Sequence, residues 1–354
     1  ISAVQALDWI DKKKYKPYLI YLDHDNNPLL CKWPRKKDLS TFIEKTIKND
    51  NKIEFVKGGI KAGKLLRRII KIDVALLIMH GAFGEDGKIQ GLLDFYDIPY
   101  TGCGVSGSVL GMDKVLSKEL FAEIDLPACP FVWFWDNEFE ENKKKTIKTI
   151  EKKLKYPIFV KPANCGSSVG ITKVKNRNEL EKAIKKASKF DHKILLEQGI
   201  EQSVDINCAV MGGYELKTSV CEQPIIEDEF LSFQEKYLKG GKTKGMAGLS
   251  RIVPAPIPDN ISKKIQEAAK IAFREIGAFG MARIDFLYQP KTKKFYINEI
   301  NTIPGSLAFY LWQASGVEPK KMLDEMVSIA LERKKENASV SFSFRSKILE
   351  KTKL

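Results

Sequence analysis

The sequence predicts a mixed chain, α/β in its first part and α+β beyond, and three observations carry that prediction. Helix- and strand-patterned segments alternate through the first hundred residues, the pattern of a small unit with a parallel sheet. The stretch MARIDFLYQPKTKKFYINEIN, residues 281 to 301, reads as two strands joined by a polar turn. At 354 residues, with 44% hydrophobic and 29% charged side chains, the chain can bury a sizeable core and divide into two or three domains.

The elements follow in order. Residues 1–104 hold a helix near 1–12, strand KPYLIYLD, a charged helix, strand DVALLIM, helix KIQGLLDFYD and strand IPYTG. Residues 105–196 hold helix DKVLSKELFAEI, strand PACPFVWFW, a lysine-rich helix and strand YPIFVKP. The turn ANCGSSVG, strand ITKVK, helix NELEKAIKKASKF and strand KILLEQ complete that unit. Residues 197–336 hold strands DINCAVMGG and ELKTSVCEQ, helix NISKKIQEAAKIAFREIG, the 281–301 pair and helix PKKMLDEMVSIALERKKE. Residues 337–354 form a basic tail. No internal repeat is visible.

Composition narrows the function classes. The longest apolar run, Val74 to Met79, is far too short to cross a bilayer, so no membrane role is expected. The opening ISAVQALDWIDKKKY has no basic leader and no long greasy stretch. Net charge is +14, but the lysines spread over helices and loops without interleaved aromatics. That is a solvated surface, not a nucleic-acid groove, and its field would also suit a small polyanionic substrate. The six cysteines form no CxxC pair and no zinc-like spacing with histidine, and they read as buried thiols of a reducing cytoplasm.

Three glycine patterns are decoys. TGCGVSG, with Gly102, Gly104 and Gly107, matches a dinucleotide fingerprint, but the acidic residue that should end the next strand is missing, Asp125 lying in a loop. GGIKAGKL puts Leu65 where a P-loop needs a hydroxyl. GGKT at 240–243 has Lys236 where the first glycine belongs.

The chemistry gathers elsewhere. Alternation along the second strand of the 281–301 pair puts Glu299 and Asn301 on one face, beside Asp285 of its partner. Two carboxylates buried together need cations or protons, so the cluster either binds a hard metal or is a solvated edge. Lys161 ends a strand just before Gly166, Ser167, Ser168 and Gly170, a turn whose N–H groups and hydroxyls can fold over phosphates; alone it could equally be a flexible hairpin tip. HGAFGEDGKIQG, His80 to Gly91, opens a helix at its positive end, where Glu85 and Asp86 could serve as caps.

Taken together, HGAFGEDGKIQG, MDK (Met112 to Lys114), KPANCGSSVG, ARID and NEINTIPG resemble, in order and spacing, the signatures of the D-alanine–D-alanine ligases of the ATP-grasp superfamily. The resemblance spans residues 80 to 305. It implies an ATP-grasp fold, a small N-terminal domain followed by two α+β domains clamping ATP. It implies ATP-dependent joining of two D-alanines through an acyl phosphate, for peptidoglycan precursors. Lys114, Lys161 and Lys236 would hold phosphates under a lid formed by Ser168 and its loop. Glu197 with the backbone of Gln198, Gly199 and Ile200 would grip adenine, and Asp205 would bind ribose. Asp285, Glu299 and Asn301 would hold two Mg2+ ions, or Mn2+. Arg283 would stabilise the oxyanion, with His80, Glu85, Ser167 and Tyr237 also at the catalytic centre. Gly305, Ser306 and Tyr310 would line the second-substrate pocket. The family likeness also implies a cytoplasmic homodimer.

The sequence departs from the family in two places. Family members open with a strand and a glycine-rich loop bearing a glutamate, whereas this chain opens inside the helix that follows; roughly twenty residues are expected to be missing, with weak activity as the consequence. The family commonly has serine where Tyr310 stands. An acceptor other than D-alanine, such as D-serine, or a catalytically silent ATP-binding homologue are the alternative readings.

Overall fold

The computed structural model describes residues 2–31, 51–63, 68–225 and 250–341. Lys236, Tyr237, the 35–50 stretch expected to be a charged helix, and the part of the tail beyond 341 lie outside them.

Among the described residues the N-terminal unit starts with helix Ser2–Trp9. An antiparallel hairpin follows, β1 (Leu19–Leu22) with β2 (Pro28–Cys31). Its turn is held by Asp23, whose carboxylate accepts from the Asn27 N–H at 2.7 Å and the Asp25 N–H at 3.0 Å. Strands β3 (Glu54–Val56), β4 (Gly59–Ala62) and β5 (Arg68–Lys71) form an antiparallel sheet that the sequence reading did not anticipate. The expected parallel sheet needs correcting. Segments 73–79 and 98–102 pair only through a parallel bridge between Ala75 and Tyr100. Two bonds support it: the Ala75 N–H to Pro99 O at 2.7 Å and the Thr101 N–H to Ala75 O at 2.9 Å. The strand pairs described here, β1 with β2, β3 with β4 and β4 with β5, join neighbours in sequence, and that connection favours antiparallel ladders.

The central unit matches its reading closely. A four-stranded antiparallel sheet runs β6 (Phe131–Trp135), β9 (Lys193–Gln198), β7 (Ile158–Pro162), β8 (Thr172–Val174). One face packs Val132, Phe134, Ile158, Val160, Ile194 and Leu196 on helices Lys143–Lys153 and Arg177–Ala187. Period-two alternation therefore turns Lys161, Lys193 and Glu197 to the opposite face. Helix Lys114–Glu123 covers that face, with Val115 packed on Leu195 and Ala163.

The C-terminal sheet runs β11 (Leu216–Thr218), β10 (Val204–Gly212), β14 (Gly280–Gln289), β15 (Lys294–Asn301). One short ribbon, β12 (Gln223–Pro224) with β13 (Arg251–Ile252), adjoins it. Ile206, Cys208, Ile284 and Ile300 face the amphipathic helix Asp259–Glu275 and form one core with its Ile265, Ala269 and Phe273. The other face carries Asn207, Arg283, Asp285, Glu299 and Asn301. Beyond β15, Ser306, Leu307 and Ala308 turn left-handed at φ near 50° before helix Phe309–Ala314. Long helix Pro319–Ala338 closes the unit.

The decoy glycines find structural work. A Cβ on Gly107 would meet Gly277 O at 3.0 Å, and one on Gly280, itself at φ 78°, would meet Gly102 N at 2.6 Å. These glycines let helix Val105–Met112 and its leading turn lie directly on the C-terminal sheet and the end of its helix.

Candidate active site

Residues 297–306, β15 and its extension, form a seam touched by every unit. Lys118 Nζ reaches Ile297 O at 3.4 Å and Lys161 Nζ reaches Asn298 Oδ1 at 3.3 Å. Lys114 Nζ lies 3.5 Å from Glu299. From the N-terminal unit, His80 Nδ1 lies 2.9 Å from Ile303 O, and Glu85 accepts the Ile303 N–H at 3.0 Å. Ser2 Oγ sits between His80 Nε2 at 3.0 Å and the Ser306 N–H at 3.2 Å.

Local rules place the lysines. Asp113 caps helix Lys114–Glu123 by accepting from the N–H groups of Val115 at 2.9 Å and Leu116 at 3.1 Å. Lys114 is thereby fixed in the first turn, where the helix dipole opposes a cation. Its ammonium is compensated by Cys165 O at 2.8 Å, in the serine loop, and by Glu299. The outer oxygen of Asp113 takes Lys193 at 2.9 Å. Lys118, four residues after Lys114 and 1% exposed at its side chain, ion-pairs Glu197 together with Lys161. Burial works to raise the Glu197 pKa, and the two ammonium groups overcome it, holding the carboxyl at about 2.

The Glu197 carboxylate, expected to grip adenine, is engaged by two lysines, one on each oxygen. The backbone beside it is also partly used, the Gln198 N–H on Pro130 O at 2.9 Å and the Gly199 N–H on Pro157 O at 2.8 Å. Ile200 O accepts from Ser203 Oγ at 2.8 Å. A purine edge would have to use the groups that remain. Asp205 begins β10, opposite Leu287.

The serine loop carries two non-glycine residues in the left-handed region, Ser167 at φ 55° and Ser168 at φ 60°. Gly170, at φ 75°, cannot be replaced cheaply, because a Cβ there would meet Pro162 Cγ at 2.7 Å. The loop is thus a shaped turn over Lys114, not a loose hairpin tip.

The acidic trio converges as alternation requires, with Asp285 directly opposite Glu299 and Arg283 opposite Asn301. Sequence reading missed the partner of Asp285. Arg283 donates to both its oxygens, through Nε at 2.7 Å and Nη2 at 2.6 Å, while Asn301 Nδ2 donates at 3.0 Å. Burial raises the Asp285 pKa, and the Arg283 charge lowers it without cancelling that effect because Glu299 and Glu222 stand near. Two carboxylates and an amide oxygen on one face are a donor set that suits a hard divalent cation.

Glu85 does not cap the following helix, which starts from Gly87 without a side-chain cap. It instead accepts from the N–H groups of Gly81 at 2.7 Å and Ile303 at 3.0 Å, and its pKa is raised by burial. Asp86 does brace the turn, accepting from Phe83 N–H at 2.9 Å and Lys88 N–H at 3.2 Å. Burial lowers the His80 pKa. Gly305 and Ser306 belong to the left-handed turn, and Tyr310 Oη accepts from Arg283 Nη1 at 3.4 Å. Lys118, Lys193, Asn207, Glu222 and Arg251 are site neighbours that motif reading passed over. Only Lys118 was legible, through its four-residue spacing from Lys114.

Comparison with known proteins agrees with this geometry. The family described as D-ala D-ala ligase C-terminus matches residues 120–328, and D-ala D-ala ligase N-terminus matches residues 1–103. A D-alanine–D-alanine ligase of Thermosipho africanus is 38% identical over 357 residues, 99% of this chain and 94% of that protein. One from Thermosipho melanesiensis is 39% identical, covering 96% of this chain and 91% of that one. Among solved structures, the D-alanine–D-alanine ligase of Coxiella burnetii superposes with a TM-score of 0.80 at 26% identity, covering 96% of this chain and 90% of that one. The VanG D-Ala:D-Ser ligase of Enterococcus faecalis gives 0.78 at 28% identity, covering 93% and 94%. The converging lysines, the serine-rich turn and the acidic strand pair thus lie on an ATP-grasp fold, and the chain belongs to the D-alanine–D-alanine ligase family of enzymes.

Proposed function

We propose that this ligase joins two D-alanines at the expense of ATP, supplying a dipeptide for peptidoglycan precursors. The observation that carries the reading is the seam at 297–303, where three lysines meet an acidic strand pair. Lys114 and Lys161 hold the triphosphate, with Lys236 from beyond the described residues at its γ end. The carboxylate of the first D-alanine attacks the γ-phosphorus, the bond to the β-bridging oxygen breaks, and ADP leaves an acyl phosphate. The amine of the second D-alanine then attacks the acyl carbon, loses a proton, and inorganic phosphate departs. Arg283, fixed by its two bonds to Asp285, presents a guanidinium to the oxyanion of that step. Ser167 and Ser168 shield the acyl phosphate from water, and Tyr237, outside the described residues, is added to them by the family resemblance. His80 and Glu85 hold the backbone at Ile303.

Asp285, Glu299 and Asn301 would hold Mg2+ or Mn2+, two ions in the reading proposed here. When bound, such a cation neutralises charge on the phosphoryl oxygens. The protein works in the cytoplasm as a homodimer on small-molecule substrates, with no nucleic-acid partner. No described helix is long and apolar enough to cross a membrane.

The test is coupled ADP release over a panel of D-amino acids, with Asp285→Ala as control. D-alanine-dependent release that this substitution abolishes supports the reading. Release only with D-serine as second substrate, or ATP binding without turnover, would replace it by the acceptor-switched or the silent alternative, neither of which the relatives favour.

A further inference from the structure

Lys161, proposed above to hold the triphosphate, stands on a buried carboxylate. Its ammonium ion-pairs one oxygen of Glu197 and lies 3.3 Å from Asn298 Oδ1. A lysine neutralised by its own carboxylate brings no net charge to a polyanion. A buried carboxylate that loses its lysine is also strongly unfavourable. A one-to-one pair would therefore hold Lys161 back from ATP.

The other oxygen of Glu197 changes that balance. It ion-pairs Lys118, whose side chain is 1% exposed against 11% for Lys161. Lys118 also reaches Ile297 O at 3.4 Å. Its helix is fixed on both sides of it, by the Asp113 cap on the N–H groups of Val115 and Leu116 and by the burial of Val115 and Phe121. Lys161 stands instead near the end of β7, just before the serine turn, and its second partner is a neutral amide. One lysine is sealed in place and the other stands at the edge of the site. The ion pairs here set Lys114, Lys118 and Lys161 against Glu197 and Glu299, so ammonium groups outnumber carboxylates among them.

We propose that Lys118 is a positioning residue for the nucleotide: it stays on Glu197 throughout, so that Lys161 can leave that carboxylate for the triphosphate and return when products depart. This rests on the ligase reading above, in which Lys161 binds phosphate. Lys118 does not touch ATP and acts through Lys161. No covalent bond changes and no proton moves in the exchange; one ion pair opens as another closes.

The experiment measures binding of ATP with Mg2+, and of adenosine, by titration calorimetry. The proteins are wild type, Lys161→Met, Lys118→Met, Glu197→Gln and the double variant Lys118→Met/Glu197→Gln. The ratio of the two affinities isolates the triphosphate from any contact Glu197 makes with the base. Lys118→Met leaves Glu197 with Lys161 alone and should lower the ATP-to-adenosine ratio about tenfold to hundredfold, the range of one hydrogen bond to a charged group. Lys161→Met should lower it as far, and Glu197→Gln should not lower it. In the double variant no carboxylate holds Lys161, and the ratio should return close to wild type, a non-additive result that a packing role for Lys118 does not produce.

An unchanged ratio in Lys118→Met beside a lowered one in Lys161→Met overturns the proposal alone. A double variant as impaired as Lys118→Met also overturns it and assigns Lys118 to packing. A wild type that binds ATP no better than adenosine, or a ratio that Lys161→Met leaves unaltered, overturns the phosphate-binding reading and the proposal with it. Melting curves on each variant identify misfolding. If Lys118→Met fails to fold, a crystal structure of the wild type with a non-hydrolysable ATP analogue decides. Lys161 on phosphate with Lys118 still on Glu197 supports the exchange, and Lys161 still on Glu197 or Lys118 on phosphate overturns it.

Discussion

Glu197 in the central sheet and Asp285 in the C-terminal sheet are both buried carboxylates paired with cations, yet their acidities move in opposite directions. Burial penalises each charge. Glu197 faces two ammonium groups and is held at about 2, whereas Asp285 shares one guanidinium with Glu299 and Glu222 nearby and is raised. The difference lies in the local count of charges. A carboxylate outnumbered by cations is a fixed structural anion, and one among other carboxylates is left under-neutralised. The first suits a scaffold that holds Lys118 and Lys161 in line. The second suits a place where an additional cation is welcome.

The sharpest way to break this contrast is to remove Arg283. Arg283→Met should lower kcat for ADP release about 10²- to 10³-fold, the usual cost of losing an oxyanion donor, with ATP affinity changed far less. A rise in the ATP KM without loss of kcat would assign Arg283 to scaffolding instead. Next in size is Glu197→Gln, which strands two buried lysines and should destabilise by about 3–5 kcal/mol at neutral pH by denaturant titration. Its pH dependence has a definite sign. A depressed carboxyl contributes fully above its unfolded value of 4.5 and loses that contribution as pH falls toward about 2. The stability gap between wild type and Glu197→Gln should therefore close across that window, and a gap constant with pH would deny the ion pairs. Smaller again, Glu85→Ala leaves two backbone N–H groups without their acceptor and should cost about 1–3 kcal/mol. Hydrogen exchange at Ile303 should rise in that variant, and unaltered protection there would show the bond to be dispensable.

Sequence reading did best where side-chain direction follows from period. Alternation along β14 and β15 placed Asp285, Glu299 and Asn301 on one face, and the register confirms it. Partners were harder. Arg283 and Asp285 are two residues apart on one strand, so a shared face was legible, but a bidentate bond between them was not. Glu197 was assigned to adenine through the family resemblance alone; the lysines that pair with it arrive from another strand and from a helix, beyond the reach of local pattern. The 54–71 sheet escaped because its strands are short and charged, with Arg68, Ile69 and Lys71 exposed on β5. The expected parallel sheet around 73–79 rested on an apolar run, and apolarity alone does not supply a neighbouring ladder.

The left-handed run at Ser306, Leu307 and Ala308 has a consequence for anyone redesigning this enzyme. Each L-residue held there costs roughly 1–2 kcal/mol, and Leu307 and Ala308 are sealed against the core at 1% and 0% exposure. Glycine at Ala308 would relieve that local tension, yet the same relief would let the chain between the acidic strand and Tyr310 wander. Thermal robustness and the rigidity of the segment leading to Tyr310 are therefore set against each other over three adjacent residues, and a screen that selects for one alone should be expected to erode the other.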